Sequence, residues 1–387
     1  METKQYLNNM FVTTFQKEPE KFFSCGGRFE VLGNHTDHNH GLCIAATCNL
    51  SVSSAVRKRN DKIVKILSEG YGYFEIDLTS LDKLTEEEGR PTALIRGIAR
   101  HLSEQYNIGG FEAYIQTNIP KGAGVSSSAA FELLISKIFN DLHNNNQVPL
   151  IELCKASQHA ENFYYGKHSG LLDQIGVAYG GLVYIDFETV TNPYIKSLKP
   201  NLKEYQFIIV NTGGNHAALS DLYDAIPKDM YKVADYFSKG FLREVNYKEI
   251  LENKERIIQD CGLLAYQRAE HFLLENERVY KAHEAIKTNN IPLLIKLMNE
   301  SRESSTNLLH NMYVDKKAGS PLEACELIYK ASNKKAGVKI NGGGFAGSVI
   351  ALVPKEEVRN VTKAAKEKYG KDSVYLVSIR DEEPSEF

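Results

Sequence analysis

The sequence predicts an α+β fold in two lobes, on three observations. Segments that alternate every two residues are mixed along the chain with segments that repeat every three or four. The glycine-rich motifs fall at the ends of strand-like segments. A weakly patterned stretch, 189–203, divides a chain of 387 residues, long enough for two cores. The expected lobes are residues 1–195 and 196–387.

Taken in order, residues 22–78 read as strands and turns, with apolar runs at 42–56, 62–67 and 73–78. Residues 90–106 read as a helix that Asn107-Ile108-Gly109-Gly110 ends. Phe111, Ala113, Ile115, Thr117 and Ile119 share one face, as in a half-buried strand. Leu133, Leu134, Ile138 and Leu142 then repeat at helical spacing. Pro149 opens another helix that closes near Gly166. Gly180-Gly181 precedes a strand at 182–187, and 205–211 reads as a buried strand. Helices are expected over most of 229–333. A strand-loop-strand unit at 338–353, a helix at 356–369 and a strand at 373–379 complete the chain.

The formal net charge is −3, which gives no reason to expect a nucleic-acid or membrane-surface partner. Six scattered cysteines without a C-x-x-C pair suggest reduced thiols packed as small hydrophobes. The N-terminus lacks the apolar core of a signal peptide, and no run is long enough to span a bilayer. A cytoplasmic address and a monomer or weak homodimer are the expectations.

Four motifs carry chemistry. The first is Gly122-Ala123-Gly124-Val125-Ser126-Ser127-Ser128, a small-residue loop between strand and helix. Glycines admit close backbone approach, a helix start attracts anions, and serines offer hydroxyls to phosphate or a hard cation. A triphosphate cradle and an ordinary capped helix both fit this segment taken alone. The second, Gly342-Gly343-Gly344-Phe345-Ala346-Gly347, contains G-x-G-x-x-G but runs into Ser348-Val349-Ile350-Ala351-Leu352, a strand. A dinucleotide fingerprint must open a helix, so a glycine hairpin packed against a ligand or another loop fits better. The third runs from Gly26 to Gly41 and holds Arg28, Asn34, His35, Asp37, His38 and His40. Its spacing is that of no zinc motif, and its mixed donors and acceptors suit a hydroxyl-rich ligand. The fourth pairs Glu161 with Asp173 across a glycine turn, Gly166 to Gly170. Two such acids serve two jobs, one on Mg²⁺ and one at a reacting hydroxyl. Taken singly, Glu161 reads better as a solvent-facing helix acid and Asp173 as a helix N-cap.

Together and in this order, these pieces resemble the GHMP kinases and, within them, the galactokinase family. Gly27-Arg28-(x)3-Leu32-Gly33-x-His35-Thr36-Asp37 is similar to that family's N-terminal signature. Pro120-x-Gly122-x-Gly124 through Ala130 is similar to the superfamily's phosphate loop. Ala160-Glu161 through Gln174 is similar to its acid-bearing segment, and Gly342–Gly347 to its third, glycine-rich motif. The resemblance implies a ribosomal-S5-like N-terminal lobe, a ferredoxin-like C-terminal lobe and ATP-dependent phosphorylation of a sugar at its anomeric hydroxyl. It implies Asp173 as the catalytic acid group with Arg28 as its partner. It places Mg²⁺ at Ser128 and Glu161, the triphosphate at Gly122, Gly124 and Ser126–Ser128, and the sugar at Asn34, His35, Asp37, Gly170 and Tyr223.

The chain departs from the family pattern at Asn34, where a glutamate contacting the sugar's 6-hydroxyl is usual, and at His38, where tyrosine is usual. The usual basic pair after Tyr223 is absent. Galactose is therefore the first expectation and galacturonate the runner-up, with Asn34 facing the group at C6. Because Ser128-Ala129, Arg28 and Asp173 are all present, an enzyme is expected over a non-catalytic sugar sensor.

Overall fold

In the computed structural model, which describes residues 2–167, 169–213, 219–314 and 319–387, the strands form two sheets. The strand Lys21–Leu32 pairs antiparallel with the long strand Leu42–Lys58. The far half of Leu42–Lys58 pairs with Phe111–Thr117, and its near half with Leu182–Asp186. Ile63–Ser68 runs parallel to Phe111–Thr117 and carries Gly72–Asp77 on its outer edge. The register of Lys21–Leu32 shifts between Gly26 and Arg28 and again between Glu30 and Leu32. Such irregularities bend a strand and re-aim its side chains, here on either side of Arg28.

The second sheet is antiparallel, in the order Val374–Val377, Tyr205–Asn211, Ser348–Pro354, Gly337–Asn341. One face packs Phe207, Ile209, Ile350 and Leu352 into the core of the first sheet. The other packs Ile208, Val210, Val338 and Val349 against helices Pro321–Ala331 and Val358–Tyr369. Strict alternation in Tyr205–Asn211 thus has an apolar partner on both sides, which is why the segment reads as continuously apolar.

Four local expectations change. Phe111–Thr117 is buried on both faces from Phe111 to Ile115, and at Tyr114 an N-terminal helix, Glu2–Phe15, supplies the cover, laying Leu7 and Phe11 on Tyr114 and Ala55. The weakly patterned stretch 189–203 holds a strand, Tyr194–Leu198, that pairs with Leu182–Asp186. The change of sheet therefore falls between Leu198 and Tyr205, beyond the expected 195/196 line. The helical region begins at Ser220, earlier than the expected residue 229, and the helix Ser220–Tyr236 carries Pro227 in its interior. Residues 315–318, inside the expected helical stretch, lie outside the described residues. Among the described residues, no helix is long and apolar enough to cross a membrane.

Candidate active site

The phosphate loop lies where the two sheets meet. Gly122 and Gly124 hold φ of 78° and 71°, in the left-handed region that a side chain resists. A Cβ on Gly124 would run into the Ser348 hydroxyl, so the glycine hairpin of the second sheet packs directly on this loop. The Gly124 carbonyl accepts from Arg28 and from Asn341, each at 2.9 Å. The helix Ser127–Asn144 follows at once. Its N-cap, Ser126, is left-handed at φ 51° and turns its hydroxyl away from the helix. The first-turn N–H groups are therefore not capped by that side chain, the condition under which a helix start attracts an anion.

The Ser126 hydroxyl instead donates to Asp173 Oδ2. Arg28 binds Asp173 Oδ1 from the other side, through Nε at 2.8 Å and a terminal nitrogen at 2.7 Å. Ser126, expected on the phosphates, thus has its hydroxyl bonded to the acid in this structure. Burial by itself would raise the Asp173 pKa. The charges of Arg28 and Lys167, with the Ser126 bond, outweigh burial and hold it below the usual carboxylate range. The group is an ionised acceptor at neutral pH.

Glu161 sits where the helix Leu150–His159 runs into a wide turn, Ala160–Tyr165. Only 2% exposed, it accepts from Ser169 Oγ at 2.6 Å and Gln174 at 3.1 Å through one oxygen, and from Lys167 Nζ at 2.6 Å through the other. Glu132, fully buried, shares the Gln174 amide at 3.2 Å. Burial first, then repulsion from Glu161, push Glu132 well above the usual range. Oε1 of Glu132 and Oε1 of Gln174 are buried without a hydrogen-bond partner. Glu132, Glu161, Ser127 and Ser128 line one cavity of about 320 Å³. Among the described residues no three acids, histidines or cysteines form a ready-made metal site, but Glu161 and Ser128 both present oxygen to this cavity, the donor type that a hard divalent cation takes.

The sugar-signature turn follows the strand Lys21–Leu32. Asp37 abuts Gly170, where any Cβ would strike its carboxylate. Burial, then the charges of Asp173 and Glu30, push Asp37 up to about 6. His35 donates through Nε2 to the Gly343 carbonyl at 2.8 Å, and Tyr223 donates to the Gly344 carbonyl at 2.7 Å. Both therefore border the glycine hairpin. The three imidazoles do not converge: His38 faces His35 at 3.4 Å, while His40 stacks on Phe241.

Asn34 departs from expectation. It is 1% exposed, donates to the Gly342 carbonyl at 2.8 Å, and accepts from Asn311 at 2.8 Å. A buried amide needs both its ends satisfied, and the hairpin and Asn311 supply them. Asn34 therefore clamps the turn to the hairpin, with both ends of its amide held by the protein itself. The clamp extends to the helix Leu263–Lys287. Glu275 accepts from the N–H of Gly33 at 3.1 Å and of Asn34 at 3.4 Å, and His271 Nε2 donates to the Asn34 carbonyl at 2.9 Å. Glu275, His271, Asn311, Glu132 and Lys167 were missed in sequence. Only Lys167 left a signal there, as a lone cation between the two paired acids.

Three family signatures match this chain: the GHMP kinases N terminal domain over residues 93–181, the galactokinase galactose-binding signature over 9–58, and the GHMP kinases C terminal over 282–371. It is 32% identical to the galactokinase of Lactobacillus helveticus, over 99% of this chain and 98% of that protein. It is 30% identical to the galactokinase of Glaesserella parasuis, over 90% and 88%. The structure of Lactococcus lactis galactokinase complexed with galactose superposes with a TM-score of 0.86 at 27% identity, covering 100% of both chains. Methanococcus jannaschii mevalonate kinase, at 18% identity and a TM-score of 0.64, shares the fold.

Proposed function

The chain belongs to the galactokinase family of GHMP kinases, and on that premise we propose that it transfers the terminal phosphoryl group of ATP to the anomeric hydroxyl of galactose. The observation that carries the reading is the Arg28–Asp173–Ser126 cluster set against the phosphate loop. Phosphoryl transfer needs alignment and neutralised charge more than covalent help. Asp173, held ionised, accepts the hydroxyl proton as the oxygen attacks. Arg28 fixes that carboxylate and faces the charge that develops on the transferring group. Asp37, His35, Gly170 and Tyr223 form the sugar's surroundings in this reading: Asp37 abuts Gly170 and feels the charge of Asp173, and His35 and Tyr223 both bond to the glycine hairpin.

The triphosphate lies on the N-terminal turn of Ser127–Asn144, over Gly122, Gly124, Ser127 and Ser128. The base extends into the 320 Å³ cavity, where Leu94, Phe131 and Tyr165 supply apolar walls. Mg²⁺ would be held by Glu161 and Ser128, and when bound it neutralises phosphate charge.

The test is ADP release across a panel of free sugars that includes galactose and galacturonate. Galactose is expected to give the highest kcat/KM. Asp173→Asn should keep nucleotide binding while turnover falls on the order of 10³-fold, because the hydroxyl loses its acceptor. Near-normal turnover in that variant overturns the assignment.

A further inference from the structure

The residues assigned above leave one charged side chain at the site, that of Lys167, without a role. Lys167 follows Gly166, whose φ of 89° ends the wide turn. The backbone N–H groups of Gly166 and Lys167 both donate to the Glu161 carbonyl, at 3.1 and 3.0 Å. The turn is therefore tied down by its own backbone. The Lys167–Glu161 ion pair, on a side chain that is 55% exposed, adds little to that anchorage.

What the ion pair does is electrostatic. Three carboxyl groups, Glu132, Glu161 and Asp173, crowd this end of the site. Arg28 is committed to Asp173 and the Gly124 carbonyl. Lys167 is the other cation whose charge is felt at Asp173, Glu132 and Tyr223. Its ammonium rests on Oε1 of Glu161, while Ser169 and Gln174 hold Oε2. Oε1 is thus exchangeable: a divalent cation can take it without disturbing the bonds that orient the carboxylate.

We propose that Lys167 is the resident cation of the phosphate site. With the site empty it neutralises Glu161. When metal-chelated ATP binds, it yields Oε1 to the metal and pairs with the terminal phosphate, a shift that its long, half-exposed stem permits. No bond is made or broken in this exchange. One ammonium–carboxylate contact is replaced by one metal–carboxylate and one ammonium–phosphate contact. The proposal rests on the kinase reading above.

The experiment compares wild type with Lys167→Met and Lys167→Arg. Binding of Mn²⁺ alone is titrated by electron paramagnetic resonance, and kcat, sugar KM and melting temperature are measured with Mg²⁺–ATP and galactose. Lys167→Met should bind Mn²⁺ several-fold more tightly, because Glu161 loses its internal competitor. Its kcat should fall on the order of a hundredfold, with sugar KM held within about twofold. Lys167→Arg should recover part of the kcat. If Lys167→Met matches wild type in Mn²⁺ affinity and kcat, the proposal is overturned. A loss confined to sugar KM or to melting temperature also overturns it, in favour of a structural turn. Wild-type protein that releases no ADP with any sugar overturns the kinase reading itself, a result that the variants cannot mimic.

Discussion

Asp37 and Asp173 share a chemistry and differ in surroundings. Asp173 meets Arg28 and the Ser126 hydroxyl, whereas Asp37 is buried among the carboxylates of Asp173 and Glu30. One is held ionised and the other rises to about 6. Such a split separates the roles of the two acids. A folded-state pKa raised above the unfolded value contributes stability at low pH that is lost as pH rises through about 6. Sugar hydroxyls that donate to the ionised Asp37 would return it. Galactose KM should therefore climb as pH falls below 6, roughly tenfold per unit, while kcat holds. A KM flat from pH 7 to 5 would sink this role for Asp37. Asn34 supports a second prediction. Its amide lies 3.4 Å from Glu30, which is paired at 2.7 Å with the fully buried Lys339. Asn34→Glu would bury a second carboxylate there and should cost about 3 kcal/mol of stability. Adding Glu30→Gln should restore much of the loss, since the new acid inherits Lys339. Denaturant melts of the four proteins measure this cycle, and strict additivity would count against the shared pocket.

At the scale of elements, the helix Leu263–Lys287 acts on the site at a distance. It contributes Glu275, whose two oxygens hold the Gly33 and Asn34 N–H groups, Ser301 at 2.7 Å and Arg278 at 2.7 Å. Burial alone would raise the Glu275 pKa, but Arg278, His271 and Ser301 bring it to about 2. The stability it contributes is present above the ordinary carboxylate value and is lost as pH falls toward 2. Buried His271 is neutral, lowered to about 4 by desolvation first, so its contribution fades as pH falls from 6.5 toward 4. Glu275→Gln should raise galactose KM on the order of tenfold, leave ATP KM in place, and cost about 3 kcal/mol by stranding Arg278. Equal changes in both KM values would show a general loosening rather than a hold on the sugar turn.

Across the whole molecule, one core joins the two sheets. Phe29 from the first packs on Phe207 from the second with ring centroids 4.7 Å apart, and Ile209, Ile350, Leu352 and Val377 belong to the same cluster. The two lobes are therefore expected to melt together. Phe207→Ala should lower stability by about 4 kcal/mol and leave a single cooperative transition. Two resolved calorimetric transitions in the variant would mean that the lobes fold independently.

Local order in this chain is legible from its residues. Strand-to-helix switching around Gly122–Ser128, the strand after Gly347 and the acid pair at Glu161 and Asp173 are all readable, because periodicity and glycine chemistry act over a few residues. The tertiary structure alone decided which faces were covered and which polar ends were already in use. The burial of Tyr114 came from a helix a hundred residues away, and the strand Tyr194–Leu198 formed on an edge that its own weak pattern did not announce. Ser126 went to Asp173 and Asn34 to Gly342 and Asn311 for the same reason. A polar side chain bonds to the nearest buried partner, and the chain separation of that partner, 47 residues in one case and 308 in the other, leaves no trace in local pattern.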